Sequence, residues 1–106
     1  PELTDWPQIV ALYDKLLESE PSPIIELNRA AAIAMRDGAD AGIQLINNIL
    51  SNGNLSDYYL TFSARGELYR RLGNYSEAKA DFERALSLTN QIPVRRFLER
   101  RLQNLS

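Results

Sequence analysis

The 106-residue chain contains no histidine and no cysteine. Zinc sites of the usual kind, Ser-His or Cys-His nucleophile pairs and imidazole proton relays are therefore excluded. Disulfides are excluded too, which fits a cytoplasmic origin. Glycine-rich phosphate loops are also missing. The acidic pairs at helical spacing are expected on solvated helix faces and not across a substrate; they are Asp14/Glu18 and Glu77/Asp81. We therefore predict no enzymatic activity, no cofactor and no metal ion.

Long apolar runs are also missing. No stretch approaches the roughly 18 apolar residues of a membrane span, and no charged-then-apolar leader opens the chain, so no membrane partner is expected. The hydrophobic content of 44% is too high for a disordered chain. The length suits one domain, predicted over residues 1–106. Because the chain starts at Pro1 without an initiator methionine, we expect it to be part of a longer protein.

The charges are divided unevenly along the chain. Residues 1–60 hold three basic and nine acidic groups, whereas residues 61–106 hold nine basic and five acidic groups. The isoelectric point is about 5.1, and aromatic residues are not interleaved with the basic ones. This distribution argues against general nucleic-acid binding and favours oriented contacts with a protein.

Apolar residues recur every three and four positions from end to end, and no alternating strand pattern occurs, which predicts an all-α fold. Asp5 and Ser22 are predicted N-caps, each with a proline in the following turn. Gly73 is suited to close a helix in the left-handed conformation. Asn74 and Glu77 have the spacing of a capping box. The predicted helices cover the residues between Asp5 and Pro21, then about 23–36, 40–51, 57–72, 75–89 and 93–105.

The helices form pairs with a period. From Phe62 to Leu88 the chain reads F-x-x-x-G-x-x-Y-x-x-x-G-x-Y-x-x-A-x-x-x-F-x-x-A-L-x-L, which resembles the tetratricopeptide repeat. Gly66 in mid-helix costs about 1 kcal/mol relative to alanine, so a close helix contact is expected there. The preceding pair is interpreted as a degenerate copy offset by about 35 residues. Ala31 is matched to Gly66, Gly38 to Gly73, Ile46 to Phe82 and Ile49-Leu50 to Ala85-Leu86, with one residue deleted in the turn.

A single repeat cannot bury its apolar face alone, so neighbouring repeats must stack. We predict six helices stacked as antiparallel pairs in a short, slightly curved solenoid. Helix one is expected to cap the first pair and helix six the last. A concave groove is expected, lined mainly by helices two, four and six.

Several short strings occur in a specific order: Asp5-Trp6, Leu12-Tyr13-Asp14, Pro21-Ser22-Pro23, Leu27-Asn28-Arg29-Ala30, Ala64-Arg65, Arg70-Arg71-Leu72-Gly73, Arg84-Ala85-Leu86, Arg95-Arg96-Phe97-Leu98 and Arg100-Arg101-Leu102. Together they resemble the C-terminal tetratricopeptide-like domain of bacterial extracytoplasmic-function sigma factors. The resemblance spans nearly the whole chain.

The resemblance implies a cytoplasmic regulatory domain in a transcription initiation factor. Sigma regions two and four would lie upstream, and DNA would be contacted only through them. The implied partners are those sigma regions, core RNA polymerase or a regulator. The alternative is a free-standing tetratricopeptide adaptor that binds peptide segments of partner proteins.

The candidate partner-binding residues are Asn28, Arg29, Arg65, Tyr69, Arg96 and Arg100. Asn28 either lines the groove or is a buried amide that satisfies a neighbouring carbonyl. Arg29 either reaches the groove or pairs with an acid such as Glu26. Tyr13, Tyr58 and Tyr69 are more typical of helix packing than of ligand contact, and Trp6 is expected to pack.

The arginines of helix six separate by helical angle. Arg101 lies beside the apolar arc, so its stem should be buried and its head should find a carboxylate or a helix-end carbonyl. Arg96 and Arg100 lie one turn apart on the solvated side and are candidates for an acidic protein partner. Arg70 and Arg71 fall late in a helix, where the helix dipole favours positive charge.

Overall fold

The computed structural model describes residues 4–105, which form six α-helices and no strand. This confirms the all-α prediction. Pro1, on which the expectation of a longer parent rests, lies outside the described residues. The chain divides into two compact units, the first ending at Leu55 and the second beginning at Ser56; the prediction of one domain over 1–106 stays a prediction. The helices are α1 (Trp6–Ser19), α2 (Pro23–Asp37), α3 (Ala39–Ser51), α4 (Tyr59–Arg71), α5 (Tyr75–Leu88) and α6 (Ile92–Gln103).

The first unit begins its helices as the sequence predicts. Asp5 Oδ1 accepts a hydrogen bond from the Gln8 amide at 3.1 Å, and Ser22 Oγ accepts one from the Ile25 amide at 3.4 Å. Each cap offsets one of the amide groups that a helix start leaves without a partner. Gly38, with φ of 110°, both ends α2 and precedes α3. This one-residue link joins α2 directly to α3, and the two helices pack against each other.

Helix α2 is the central helix of the first unit, packed against both α1 and α3. Leu27, Ala30 and Ile33 are buried on it, and Ile46 of α3 is fully buried. Val10, Ala32 and Ile33 form a cluster against which α1 and α3 residues pack. The packed residues are Trp6, Ile9, Tyr13, Ala41 and Leu45. The predicted packing roles of Trp6 and Tyr13, and of α1 as the capping helix, are confirmed.

In the second unit the middle helix is α5, which packs against both α4 and α6. Phe82 of α5 and Leu98 of α6 are fully buried. A Cβ atom added to Gly66 of α4 would lie 2.9 Å from Phe82 Cε1 and 3.2 Å from Asp81 Cβ. Gly66 therefore allows α4 and α5 to approach closely, as its position in mid-helix predicted.

The starts of α4 and α5 differ from the prediction. Helix α4 begins at Tyr59, two residues later than expected, because Leu55 has a positive φ of 58° and the Ser56 carbonyl is bound by Arg84 at 3.3 Å. The capping box is absent, since the Asn74 side chain makes no capping hydrogen bond. The amide of Asn74, which Glu77 would accept from in such a box, already donates to the Tyr69 carbonyl at 2.9 Å. Gly73 has φ of 78°, as predicted.

The repeat is confirmed, and so is the match of Ile46 to Phe82, but the register predicted for the first helix of each pair needs correction. Ala31 is exposed whereas Gly66 is buried, so the two are not equivalent. Buried residues instead match at a constant spacing of 36 positions. The reason is that α3 starts as many residues after the start of α2 as α5 does after the start of α4. The two hairpins differ only in where their first helix ends. The equivalent buried pairs are Leu27/Ser63, Ala30/Gly66, Ala32/Leu68, Gly42/Ala78, Ile46/Phe82 and Ile49/Ala85.

Candidate protein-interaction site

The second unit contains an open pocket between α4 and α6 of about 280 Å³. Leu60, one of its lining residues, remains 39% exposed. The sequence predicted a groove lined mainly by helices two, four and six. Helices α4 and α6 line this pocket. The contribution of helix two to a groove stays a prediction. The lining residues are Tyr59, Leu60 and Ser63 of α4 and Pro93, Val94 and Phe97 of α6.

Helical spacing explains why these side chains converge. Tyr59 and Ser63 are four residues apart on α4, and Phe97 lies three residues after Val94 on α6, so each helix presents one face. The Tyr58 ring packs edge-on against Tyr59, with centroids 5.8 Å apart and planes at 66°. The helix packing expected for Tyr58 stays a prediction, since the two rings are neighbours in sequence. Together the two faces form an apolar recess that is open to solvent.

One or two turns beyond the pocket, a charged cluster joins α4 to α6. Glu67 Oε2 accepts a hydrogen bond from Arg70 at 2.8 Å, and Glu67 Oε1 accepts one from Arg101 of α6. Partial burial acts to raise the pKa of Glu67, but the hydrogen bonds and charges of Arg70 and Arg101 outweigh it and hold this pKa below its ordinary value. The Arg101 guanidinium also lies 4.9 Å from the centre of the Phe97 ring. Of the two partners predicted for the Arg101 head, a carboxylate or a helix-end carbonyl, the structure has the carboxylate.

Arg65, a candidate for partner binding, is engaged within the unit. Its guanidinium donates to both carboxylate oxygens of Asp81 at 2.8 Å and lies 5.6 Å from the Phe62 ring and 5.9 Å from the Tyr69 ring. The Asp81 hydrogen bond raises the pKa of Arg65 above its ordinary value. Asp81 is 4% exposed, so its placement on a solvated face was wrong. Of the acidic pair Glu77/Asp81, only Glu77 is exposed, because Asp81 lies on the side of α5 that faces α4.

Other arginines of the second unit also have intramolecular roles. Arg84 lies 5.6 Å from the Phe62 ring, on which Arg65 also stacks. Arg95 donates to the carbonyls of Leu86 and Thr89 at 2.7 and 3.0 Å, satisfying the end of α5.

Arg96 and Arg100 are exposed, as their helical angle predicted. Whether they bind a partner stays a prediction.

In the first unit, Asn28 is exposed, so the buried-amide alternative was wrong. The packed face of α2 is the one that carries Leu27, Ala30 and Ile33, and Asn28 lies on an outer face with Ile24 and Met35, which are 47% and 45% exposed. Its role as a groove residue stays a prediction.

Arg29 forms an ion pair, as one of its alternatives predicted, although its partner is not Glu26. Its Nε donates to Asp14 Oδ1 of α1 at 2.5 Å. A smaller pocket of about 180 Å³ lies beside this bridge, and its lining combines polar and apolar side chains. It is lined by Glu26, Arg29, Leu45, Asn48, Ile49 and Asn52.

Within residues 4–105, no three acidic side chains are grouped closely enough to hold a metal ion. None of the helices described in this range has the length and apolar character needed to cross a membrane.

The geometry of the second unit agrees with a comparison against known families. Residues 59–92 match the tetratricopeptide repeat. This repeat is a protein-interaction fold, and the matched segment contains α4, α5, and the link that follows them. An uncharacterized protein from Rhizobium meliloti (strain 1021) is 34% identical over all 106 residues, and the chain spans about a quarter of that relative's length. No solved structure matches the chain.

Sequence reasoning did not single out the pocket residues Tyr59, Leu60 and Phe97. Each falls at an apolar position of an amphipathic helix, where burial is the ordinary expectation. The only available signal was that Leu60 lies at a different helical angle from the buried Phe62 and Leu68. That signal distinguishes faces of one helix but cannot tell which face a neighbour covers.

Proposed function

We propose that this chain is the regulatory protein-interaction domain of a bacterial extracytoplasmic-function sigma factor, acting in the cytoplasm through contacts with its own sigma regions, core RNA polymerase or a regulator. The observation that carries the interaction role is the open apolar pocket between α4 and α6 on a tetratricopeptide hairpin. Apolar recesses that keep large side chains in solvent are favoured places for a partner to bury surface.

The sigma-factor part of the proposal is supported by the ordered strings that run from Asp5-Trp6 to Arg100-Arg101-Leu102. Several of these residues have structural tasks that explain why a domain of this kind would carry them. Asp14 forms an ion pair with Arg29, and Arg95 donates a hydrogen bond to a backbone carbonyl at the end of α5. These residues of the strings therefore hold neighbouring helices together. The longer relative supports the view that such a chain occurs within a larger protein.

The second candidate is a free-standing adaptor that binds peptide segments. The match of residues 59–92 to the general tetratricopeptide repeat favours it, because that match needs no sigma regions. The two candidates differ in what precedes the domain. Sigma regions two and four encoded upstream of Pro1 would favour the first, and an unrelated or absent upstream region would favour the second.

The test is transcription from a cognate promoter by the parent protein in a reconstituted system. We expect deletion of residues 1–106, or the pocket variant Leu60→Asp, to change promoter output at least several-fold. Leu60 is at the edge of the pocket, so the charged side chain should block binding without unfolding the domain. Glu83→Lys, an exposed change on α5, is the matched control. Output that is unaltered by the deletion would contradict the proposal.

A further inference from the structure

The pocket between α2 and α3 of the first unit contains a carboxylate without a partner. Glu26 lines this pocket and is partly buried, and its side chain makes no hydrogen bond or ion pair within residues 4–105. Arg29 also lines the pocket, but its charge is matched by Asp14, whose Oδ1 lies 2.5 Å from Arg29 Nε. These three charges sum to one negative charge. Because a partly buried charge without a partner is unfavourable, a cation would complete the pocket.

The second unit shows which cation occupies the equivalent place there. At the spacing of 36 residues, Glu26 corresponds to Phe62 and Asn48 to Arg84. In the second unit the Arg84 guanidinium lies 5.6 Å from the centre of the Phe62 ring. The first unit has a short amide in place of that arginine and a carboxylate in place of that ring. A carboxylate can accept two parallel N–H bonds from a guanidinium, so the first unit has an acceptor for this group and lacks the group itself.

The other lining residues suit the parts of an alkylguanidinium. Asn48 and Asn52 lie four residues apart on α3, so their amide oxygens can accept further N–H bonds on one face of the helix. Asn52 is also the C-cap of α3, where the helix dipole favours positive charge and where the last turn holds no basic residue. Leu45 and Ile49 provide an apolar side against which an alkyl stem can pack.

The size of the pocket limits the ligand to a small group. The volume is about 180 Å³, whereas sites for drug-sized ligands span roughly 300–1,000 Å³. A cavity of about 150 Å³ is enough for benzene. A guanidinium on a short alkyl stem therefore fits within the pocket, and a nucleotide does not.

From these observations we propose that the pocket lined by Glu26, Asn48 and Asn52 binds a guanidinium group, carried either by free arginine or by an arginine side chain of a partner protein. The guanidinium donates to the Glu26 carboxylate and to the amide oxygens, and its stem packs against Leu45 and Ile49. The site lies in the first unit and depends neither on the pocket between α4 and α6 nor on the sigma-factor role.

The test is a titration of the 15N-labelled 106-residue chain, followed by NMR through the side-chain amide signals of Asn48 and Asn52. The probe is ethylguanidinium at low and constant ionic strength. N-ethylurea is the neutral comparison ligand of similar shape, and ethylammonium is a cation without the planar set of donors. We expect ethylguanidinium to bind at least about tenfold more tightly than either comparison ligand, and to bind more weakly as salt is added.

Two further ligands distinguish the sources of the group. Free L-arginine carries its own α-amine and α-carboxylate, whereas acetyl-Gly-Gly-Arg-Gly-Gly-amide presents the side chain without terminal charges. Tighter binding of L-arginine assigns the site to a small molecule, and tighter binding of the peptide assigns it to a partner protein. Equal affinities show that the guanidinium alone is recognised. Each of these outcomes supports the site.

Matched variants test the residues. Glu26→Gln should weaken ethylguanidinium binding at least about tenfold. Asp40→Asn removes the same charge from the first turn of α3, at the end opposite to Asn52, and should leave binding unchanged. Asn48→Arg places a guanidinium where the second unit has Arg84 and should abolish binding without lowering Tm. Gln44→Arg adds the same charge at an exposed position of α3 outside the pocket and should retain most of the binding.

Three results would overturn the inference. They are equal affinity for ethylguanidinium and either comparison ligand, equal losses from Glu26→Gln and Asp40→Asn, and binding that survives Asn48→Arg. Failure of the proposed function is a separate result, because promoter output is measured on the parent protein and none of these substitutions changes a residue that lines the pocket between α4 and α6.

Discussion

Replacing Gly66 by alanine tests the close contact between α4 and α5. An alanine Cβ would lie 2.9 Å from one Phe82 ring carbon and 3.0 Å from another. Phe82 is fully buried, so its ring cannot turn out into solvent without disturbing its neighbours. The 3.2 Å approach to Asp81 Cβ adds a second obstacle, because Arg65 holds the Asp81 carboxylate with two hydrogen bonds. Accommodation therefore requires α4 and α5 to separate.

Two opposing effects set the magnitude. Alanine is favoured over glycine inside a helix by about 0.8–1 kcal/mol. Overpacking of a well-filled contact costs about 1–3 kcal/mol. We therefore expect Gly66→Ala to destabilise the chain by about 1 kcal/mol, which corresponds to a fall of roughly 4–8 °C in Tm.

The first unit suggests how to rescue this variant. Its equivalent positions hold Ala30 and Ile46, both fully buried, so a larger residue on one helix is matched by a smaller one on the other. In a double-mutant cycle, Gly66→Ala should cost less, or become stabilising, when Phe82→Ile is also present.

The assay is urea unfolding followed by helical circular dichroism, with Ala64→Gly as a measure of helix propensity at a neighbouring position. If Gly66→Ala stabilises the chain by about 1 kcal/mol in the presence of Phe82, propensity alone acts and the close contact is refuted. Additive effects of the two substitutions would refute the rescue.

Three further predictions concern charge and backbone. Arg101→Ala should cost about 1 kcal/mol in urea unfolding, since Glu67 keeps Arg70; charge reversal of the exposed Arg100 should change stability by less than about 0.5 kcal/mol, and equal losses would show the face assignment to be wrong. Because the folded state lowers the pKa of Glu67 from 4.5, its contribution is present above that pH and lost as the pH falls through the folded value. Glu67→Gln should therefore flatten the decline in unfolding free energy below about pH 4.5, and an identical acid limb would contradict this. Gly73→Ala should cost about 1–2 kcal/mol, since φ is 78° and nothing lies within 4 Å of the new Cβ; an unchanged Tm would argue against the left-handed turn.

Local signals predicted most of the fold. The caps at Asp5 and Ser22, the closing Gly73 and the small Gly66 each act within a few residues or on one adjacent helix. These features therefore leave a direct trace in sequence spacing. The same holds for Arg101, whose helical angle next to Phe97 was enough to predict that its head would find either a carboxylate or a helix-end carbonyl.

The remaining errors involve choices between competing partners. The Asn74 amide can donate its hydrogen bond either within the Gly73 turn or to Glu77 in a capping box. In the structure it donates to the Tyr69 carbonyl, which closes the turn. Asp81 was placed in solvent because its spacing to Glu77 was weighed without Arg65, which lies 16 residues away. The exposure of Leu60 depends on which helix faces α6 and at what distance, and no pattern within α4 contains that information.

The Arg29–Asp14 bridge bears on where the chain can be divided. Arg29 occupies the position of the repeat that Arg65 occupies 36 residues later, but the counterpart of Asp81 in the first unit is Leu45. The arginine of the first unit therefore takes its acid from α1, and the arginine of the second takes its acid from α5. A fragment that starts at Ser22 would lose that acid together with the packed Val10, whereas a cut between Leu55 and Ser56 separates neither pair. Fragments for binding studies should accordingly keep α1 with α2 and α3.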